Sequence, residues 1–256
     1  MSPVILEAHD VSKNFPLKRG KVIEVLRHIS LKAKDGEFIS LIGPSGCGKT
    51  TLMKLLAGLI APTSGEIVEH KHLIPDGRQQ HGVMFQQYNL FPWLSVEENI
   101  EFGLKILHRA EVERKKIVAQ YIHRMGLDGF ERSYPKQLSG GMQQRVALAR
   151  TFATNPKILF MDEPFAALDA QTKRSMQELL LHMWNAEPRT VIFVTHDVEE
   201  AIFLSDTIYV MSARPGHIRE RVEVPISRPR DLSMEFGVEF LKTKKDIQTF
   251  VSQEIK

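Results

Sequence analysis

Three short segments of the chain carry residue types that do chemistry. The first, GPSGCGKT at 43–50, has a glycine, four residues, then glycine, lysine and threonine. This is the spacing of a phosphate-binding loop: glycines let the backbone bend so that successive N–H groups face phosphate oxygens, and the helix that follows adds its partial positive charge. In such a loop Gly43, Pro44, Ser45, Gly46, Cys47 and Gly48 cradle the phosphates of ATP, with Thr51 counted among the binding positions. Lys49 contacts the β- and γ-phosphates, as a catalytic as well as a binding residue, and Thr50 offers its hydroxyl to Mg²⁺.

The second segment, KILFMDEP, sets Asp162 and Glu163 side by side at the exit of an apolar run. Two adjacent carboxylates there are costly unless something compensates them. Taken alone, the pair could equally cap a helix before Pro164. Beside a phosphate loop it reads as catalytic, Asp162 holding Mg²⁺ through water and Glu163 orienting and partly deprotonating an attacking water. In the third segment, LSGGMQQR at 138–145, Ser139, Gly140 and Gly141 at a helix start form a second anion site able to bind a γ-phosphate.

These segments need elements to position them. From Val4 to Ile42 the pattern is of strands, with a polar turn LKRGK, and the nearly all-apolar Phe38–Ile42 is expected to be a central strand covered on both faces. It leads directly into the glycine loop and a short helix that Gly58 can end in a left-handed cap. From Ser95 the period becomes helical. Ser95 and Glu98 form a capping-box pattern, and Val96, Ile100, Leu104 and Leu107 share one face. Further helices are predicted from Glu111 to about Met125, from Ser139 to before Asn155-Pro156, and from about Ala170 to Trp184. Strands ILFMD and TVIFVTH flank the last of these. The C-terminal stretch ends in an amphipathic segment with Phe240, Ile247, Val251 and Ile255 on one side. There is no internal repeat.

The composition, 43% hydrophobic and 25% charged over 256 residues, is that of a globular protein rather than a fibre or a disordered chain. The net charge of +3, from 34 basic against 31 acidic residues, is too small for an electrostatic footprint on nucleic acid, and none is expected as a partner. The mixed-sign run around Arg114, Lys115 and Lys116 reads as a solvated helix face. Cys47, the single cysteine, excludes an internal disulfide and a multi-cysteine zinc site. A thiol next to a helix N-terminus could act as a redox switch; a small tolerated side chain is the favoured reading. The N-terminal residues do not follow a secretion signal's pattern. The most apolar stretch, LMKLLAGLIAP, is interrupted by Lys54 and is shorter than the ~20 residues of a spanning helix, so any membrane role requires another chain to cross.

LSGGMQQR resembles the signature of the ABC ATPases, LSGGQ or a near variant, with Met142 where the short form has glutamine. The resemblance extends over residues 5 to 217. It implies that Phe15 stacks on adenine, and that Gln86 binds ATP and Mg²⁺ and links the metal and the attacking water to a helical insert. It also makes FAALD at 165–169 a loop that crosses between subunits, with Ala166 where many relatives have serine or glycine. By the same resemblance, His196 in VIFVTHDVEEA matches the histidine that touches the γ-phosphate.

The fold implied is α/β, a P-loop NTPase core with an antiparallel β region and an inserted helical subdomain. An ABC ATPase domain would span 1–217, its nucleotide-binding core at 1–87 and 153–217 and its helical insert at 88–152. A C-terminal extension, 218–256, would carry the amphipathic helix. Such a chain works as a head-to-tail pair with a second copy of itself or a homologous ATPase subunit, Ser139, Gly140 and Gly141 of one closing over ATP held by Lys49 of the other.

Its other implied partners are transmembrane permease subunits and, within the whole system, an extracytoplasmic solute-binding protein. Its implied place is the cytoplasmic face of the inner membrane, bound peripherally. Phe91, Pro92, Trp93 and Leu94 are either core of the insert or part of the groove that receives a permease helix. THDVEEAIFLSD, MSARPGHI and SRPRD look like the nitrate/sulfonate/taurine branch of importers. The expected activity is ATP hydrolysis powering a bacterial importer of a small polar or anionic solute such as nitrate, sulfonate or taurine. The alternatives are an ABC ATPase of another importer class and a soluble non-transport ABC ATPase; the latter generally carries long coiled-coil inserts or two cassettes, which are not seen here. Glu163 and His196 argue against a degenerate cassette that only binds.

Overall fold

The structure, a computed structural model, describes residues 2–69, 72–73 and 81–252. In chain order its elements are strands β1 (Val4–Pro16), β2 (Val22–Lys34) and β3 (Phe38–Ile42), helix α1 (Lys49–Leu56), and strands β4 (Ser64–Glu69), β5 (His72–Leu73) and β6 (His81–Met84). Helices α2 (Val96–Ile106), α3 (Glu111–Arg124) and α4 (Gly140–Ala153) follow, then β7 (Ile158–Asp162), α5 (Ala170–Ala186), β8 (Thr190–Val194), α6 (Val198–Leu204), β9 (Thr207–Met211), β10 (Ile218–Glu223) and α7 (Val238–Ser252). The chain forms two compact units, Met1–Gln79 with Trp184–Lys256, and Gln80–Met183.

In the first unit β1 and β2 pair antiparallel along their length, from Val4↔Lys34 to Pro16↔Val22, within a four-stranded sheet ordered β2-β1-β4-β5. A second set runs β10-β9-β3-β8, with β3 parallel to both of its neighbours and β10 antiparallel to β9. All five residues of each of β3, β8 and β9 are buried. Apolar runs without alternation are what a strand covered on both faces requires, and they set the phosphate loop at a rigid strand end. The fold is α/β with a P-loop core and an antiparallel region.

The C-terminal extension packs on this unit. Phe240 and Ile247 of α7 are buried against Ile42, Ala201, Ile202, Ile208 and Val210, with Val251 partly buried beside them; Ile255 lies outside the described residues. Two arginines tie the preceding segment to α6. Arg228 donates to the carbonyl of Leu204 at 2.6 Å, and Arg230 donates to those of Ile202, Phe203 and Ser205 at 3.0, 3.2 and 2.7 Å. Carbonyls left over at a helix C-terminus are thereby satisfied by cations, which the helix dipole also favours there. Burial pulls the Arg230 guanidinium down to about 10.

In the second unit β6 and β7 pair in parallel. The expected capping box at α2 is present: Ser95 Oγ accepts from the Glu98 N–H at 3.2 Å and the Glu98 carboxylate accepts from the Ser95 N–H at 2.7 Å. Val96, Ile100 and Leu104 are its buried face, and α3 ends before Gly126, whose φ is +61°. Arg114 departs from the solvated-face expectation. It turns inward and donates to Glu101 at 2.8 Å, while Lys115 stays exposed and pairs with Glu111. Among the described residues no helix is long and apolar enough to cross a membrane.

Candidate nucleotide site

In the first unit the phosphate loop leaves β3 at Gly43 and enters α1 at Lys49. Neighbouring groups crowd it from behind: a Cβ on Gly43 would lie 2.7 Å from the Met211 carbonyl oxygen, and one on Gly48 would lie 2.7 Å from the Leu26 side chain. Gly48 also has φ +105°, which L side chains rarely adopt. It precedes α1 with no side-chain cap, so the first amides of the helix are not taken up by a capping side chain. A loop shaped this way has the curvature and the donors for an anion.

Lys49 is buried, and its ammonium donates to the carbonyls of Gly43 at 2.8 Å and Pro44 at 3.1 Å. It curls over the concave side of the loop. Thr50 and Thr51 are half-buried in the first turn of α1, and Ser45 and Gly46 are exposed. Cys47 is buried, and burial pushes its thiol above the usual range, against the environment that activates a thiol.

Phe15 lies half-exposed near the end of β1, opposite Ile23, with the Lys13 ammonium 5.0 Å from its ring centre. His196 is exposed two residues beyond β8. Its backbone is held on both sides: the Asp197 N–H donates to Thr195 Oγ1 at 3.0 Å, and the Asp197 carboxylate caps α6 by accepting from the N–H groups of Glu199 and Glu200. Thr195 and Glu200, both buried, share a short hydrogen bond.

In the second unit Asp162 is the buried last residue of β7. Glu163 follows with φ +44°, in the left-handed region that a non-glycine residue seldom occupies. Such conformations cost on the order of 1–3 kcal/mol and collect where chemistry dictates a side chain's position. Gln86 is exposed just after β6. Ser139 caps α4, its Oγ accepting from the Met142 N–H at 3.3 Å. Ser139 and Gly140 are exposed and Gly141 is half-buried, so the helix start is open to another molecule.

The connection after Gln86 is fastened by two residues not singled out in the sequence. Arg150 donates to the carbonyls of Asn89 and Tyr88 at 2.8 and 3.0 Å and sits 5.5 Å from the Phe91 ring. Asn99 donates to the carbonyls of Phe91, Leu94 and Ser95 and accepts from the Phe91 N–H. The available signal was a lone Asn among the apolar positions of α2. Phe91 packs on Phe102, ring centres 4.4 Å apart, whereas Trp93 is 70% exposed. A cleft of about 390 Å³ lies beside them, lined by Phe85, Phe91, Phe102, Gly103, Arg150 and Thr154 among others.

A phosphate loop on a buried parallel strand, a carboxylate pair on the end of another and a serine-capped glycine helix start define the class: a P-loop nucleoside triphosphatase cassette. Residues 26–166, more than half of the chain, match the family described as ABC transporter. The chain is 46% identical to the uncharacterized ABC transporter ATP-binding protein MJ0412 of Methanocaldococcus jannaschii, over 98% of this chain and 93% of that one. It is 44% identical to the aliphatic sulfonates import ATP-binding protein SsuB of Bacillus thuringiensis subsp. konkukian, over 92% of each. The structure superposes with a TM-score of 0.77 on the dimeric post-hydrolysis state of the ATP-binding cassette MJ0796 bound to ADP and Pi, at 32% identity, covering 87% of this chain and 100% of that one. The chain belongs to the ABC transporter family, as an ATP-binding subunit with the fold and ATPase activity of its cassettes.

Proposed function

We propose that this chain powers an ABC importer of a small polar or anionic solute, with aliphatic sulfonates the first candidate and nitrate and taurine the others. The phosphate cradle around Lys49 is the observation that carries the ATPase half of this reading. For the import half, the support is the sulfonate-import name of a relative 44% identical over nearly its whole length.

In this reading the loop amides, Lys49 and the half-buried hydroxyls of Thr50 and Thr51 hold the triphosphate, and Phe15 packs on the adenine. Glu163 accepts a proton from the attacking water and His196 donates a hydrogen bond to the γ-phosphate, steadying the charge that develops there. Thr50, Asp162 and Gln86 offer a hydroxyl, a carboxylate and an amide oxygen, the hard oxygen donors that Mg²⁺ prefers, and would hold that ion, which when bound neutralises phosphate charge. Two copies pair head to tail, as the cassette MJ0796 is described as dimeric. The exposed Ser139 and Gly140, with Gly141, then close on the partner's nucleotide, and ATP binding is linked to pairing by mass action.

The permease subunits receive the motion through the insert, residues 88–152, where the cleft beside Phe91 and Phe102 and the exposed Trp93 offer an apolar seat for a helix. The chain works at the cytoplasmic face of the membrane, held there by those subunits, with a solute-binding protein delivering cargo on the far side. To test this, Trp93→Cys is crosslinked in an assembled transporter and uptake of labelled alkanesulfonate, nitrate and taurine is measured with and without the chain. Crosslinks to the permease and chain-dependent uptake of one of these solutes are expected; an active transporter without the crosslink, or uptake of none of the three, contradicts the reading.

A further inference from the structure

Behind the phosphate loop, in the same unit, lies a tight turn formed by residues 212–217. Ser212 closes it: its N–H donates to the His217 carbonyl at 3.0 Å, its Oγ accepts from the His217 N–H at 3.0 Å, and Oγ lies 2.6 Å from His217 Nδ1. The turn is stapled to β2, the Gly216 N–H donating to the Val25 carbonyl and the Gly216 carbonyl accepting from the Arg27 N–H, both at 2.9 Å. It is also pressed onto the phosphate loop, because a Cβ on Gly216 would lie only 2.1 Å from the Cys47 carbonyl oxygen. From this fixed base Arg214 reaches the loop, donating to the Gly46 carbonyl from Nη2 at 3.0 Å and from Nε at 3.3 Å.

A trans peptide sets its C=O and the following N–H on opposite sides. Holding the Gly46 carbonyl outward therefore aims the Cys47 N–H inward, where it now donates to the Pro44 carbonyl at 3.3 Å. That peptide needs holding: Gly46 is exposed, with φ +75°, and glycine turns as readily one way as the other. A two-pronged guanidinium grip on one carbonyl fixes direction as well as distance, which a single ammonium does not. The cation also lends its charge to the loop from behind.

We infer that Arg214 is a positioning residue for nucleotide binding, fixing the plane of the Gly46–Cys47 peptide so that the Cys47 amide already faces the inside of the loop, where phosphate would replace the Pro44 carbonyl as its acceptor. The inference rests on the reading of the loop as the ATP site. Arg214 touches no reacting atom and is exposed, so its loss should fall on affinity rather than on turnover or folding.

The test compares the parent chain with Arg214→Ala and Arg214→Lys. MgATP binding is measured by calorimetry, ATPase activity against ATP concentration, and the Cys47 amide resonance by NMR without nucleotide. Expected for Arg214→Ala are a Kd and KM about five- to tenfold higher, a kcat within about twofold of the parent, an unchanged melting temperature and a displaced Cys47 amide resonance. Arg214→Lys should recover less than half of the lost affinity on a logarithmic scale. Unchanged affinity with an unmoved Cys47 resonance in Arg214→Ala overturns the inference, as does full rescue by lysine, which would reduce Arg214 to a point charge. If the parent chain binds no MgATP, the nucleotide reading fails. The Cys47 resonance still decides whether Arg214 anchors the peptide, because it is read without ligand.

Discussion

The Lys49 ammonium donates to the Gly43 carbonyl oxygen 2.8 Å away, six residues back along the chain and on the other side of the phosphate loop. With the bond to Pro44 at 3.1 Å, this puts a buried cation inside the curve of its own loop, paired with backbone oxygens. Lys49 is packed rather than exposed, so it bears on both binding and loop shape.

Lys49→Ala should therefore reduce MgATP affinity at least about tenfold by removing a charge-assisted contact to phosphate. It should also cost about 1 kcal/mol of stability through the two lost carbonyl contacts. Calorimetry and a denaturant titration check both. Parent-like ATP binding would remove Lys49 from the site.

Phe240 and Ile247 make the C-terminal helix a packed part of the first unit. Phe240→Ala should cost about 3–5 kcal/mol, the usual cost of emptying a buried aromatic position. Removing residues 224–252 should lower the melting temperature sharply while leaving no solute-dependent change in ATPase activity. A truncated chain with the parent's melting temperature and an altered response to a cytosolic solute would contradict this.

Glu101 should give the second unit a pH dependence. Burial raises its pKa, but the hydrogen bonds and charges of Arg114 and Lys105 outweigh that and hold it below its ordinary value. A depressed carboxyl stabilises the fold above its unfolded pKa, and that contribution fades as pH falls from the ordinary carboxylate range through the lower folded value. Glu101→Gln should be less stable than the parent by about 0.5–1 kcal/mol at neutral pH, with the gap closing on acidification below about pH 4.5. Denaturation midpoints at pH 7 and pH 3.5 measure it; a gap that widens in acid would contradict the assignment.

Features that depend on nearest neighbours were legible in the sequence. The strand, glycine loop and helix around residues 38–56, the Ser95 and Glu98 capping box, and the end of α3 before Gly126 all follow from local backbone and side-chain chemistry. Short elements defined by partners were not. Thr207–Met211 is five buried residues with no alternation, a run that periodicity cannot assign, and it becomes a strand by pairing with β3. α6 has seven residues, too few to show a helical period, and takes its ends from the Asp197 carboxylate and two arginines some 25 residues later in the chain. The same limit hid Asn99, Arg150 and Arg214. Each acts on backbone carbonyls of other segments, and a carbonyl has no sequence signature. The left-handed backbone at Glu163 was equally invisible.

In the proposed function this subunit binds ATP, pairs around it and hydrolyses it with Glu163 as base. Glutamine at that position keeps the shape and can still orient water, but it cannot accept a proton. The most direct measurement is turnover of Glu163→Gln beside the parent, together with its mass in solution with and without MgATP. Expected are a rate reduced at least about a hundredfold, the low end of what a general base contributes, and an ATP-dependent dimer that Ser139→Arg abolishes. A Glu163→Gln chain that hydrolyses ATP near the parent rate, or one that dimerises equally well with Ser139→Arg added, would contradict it.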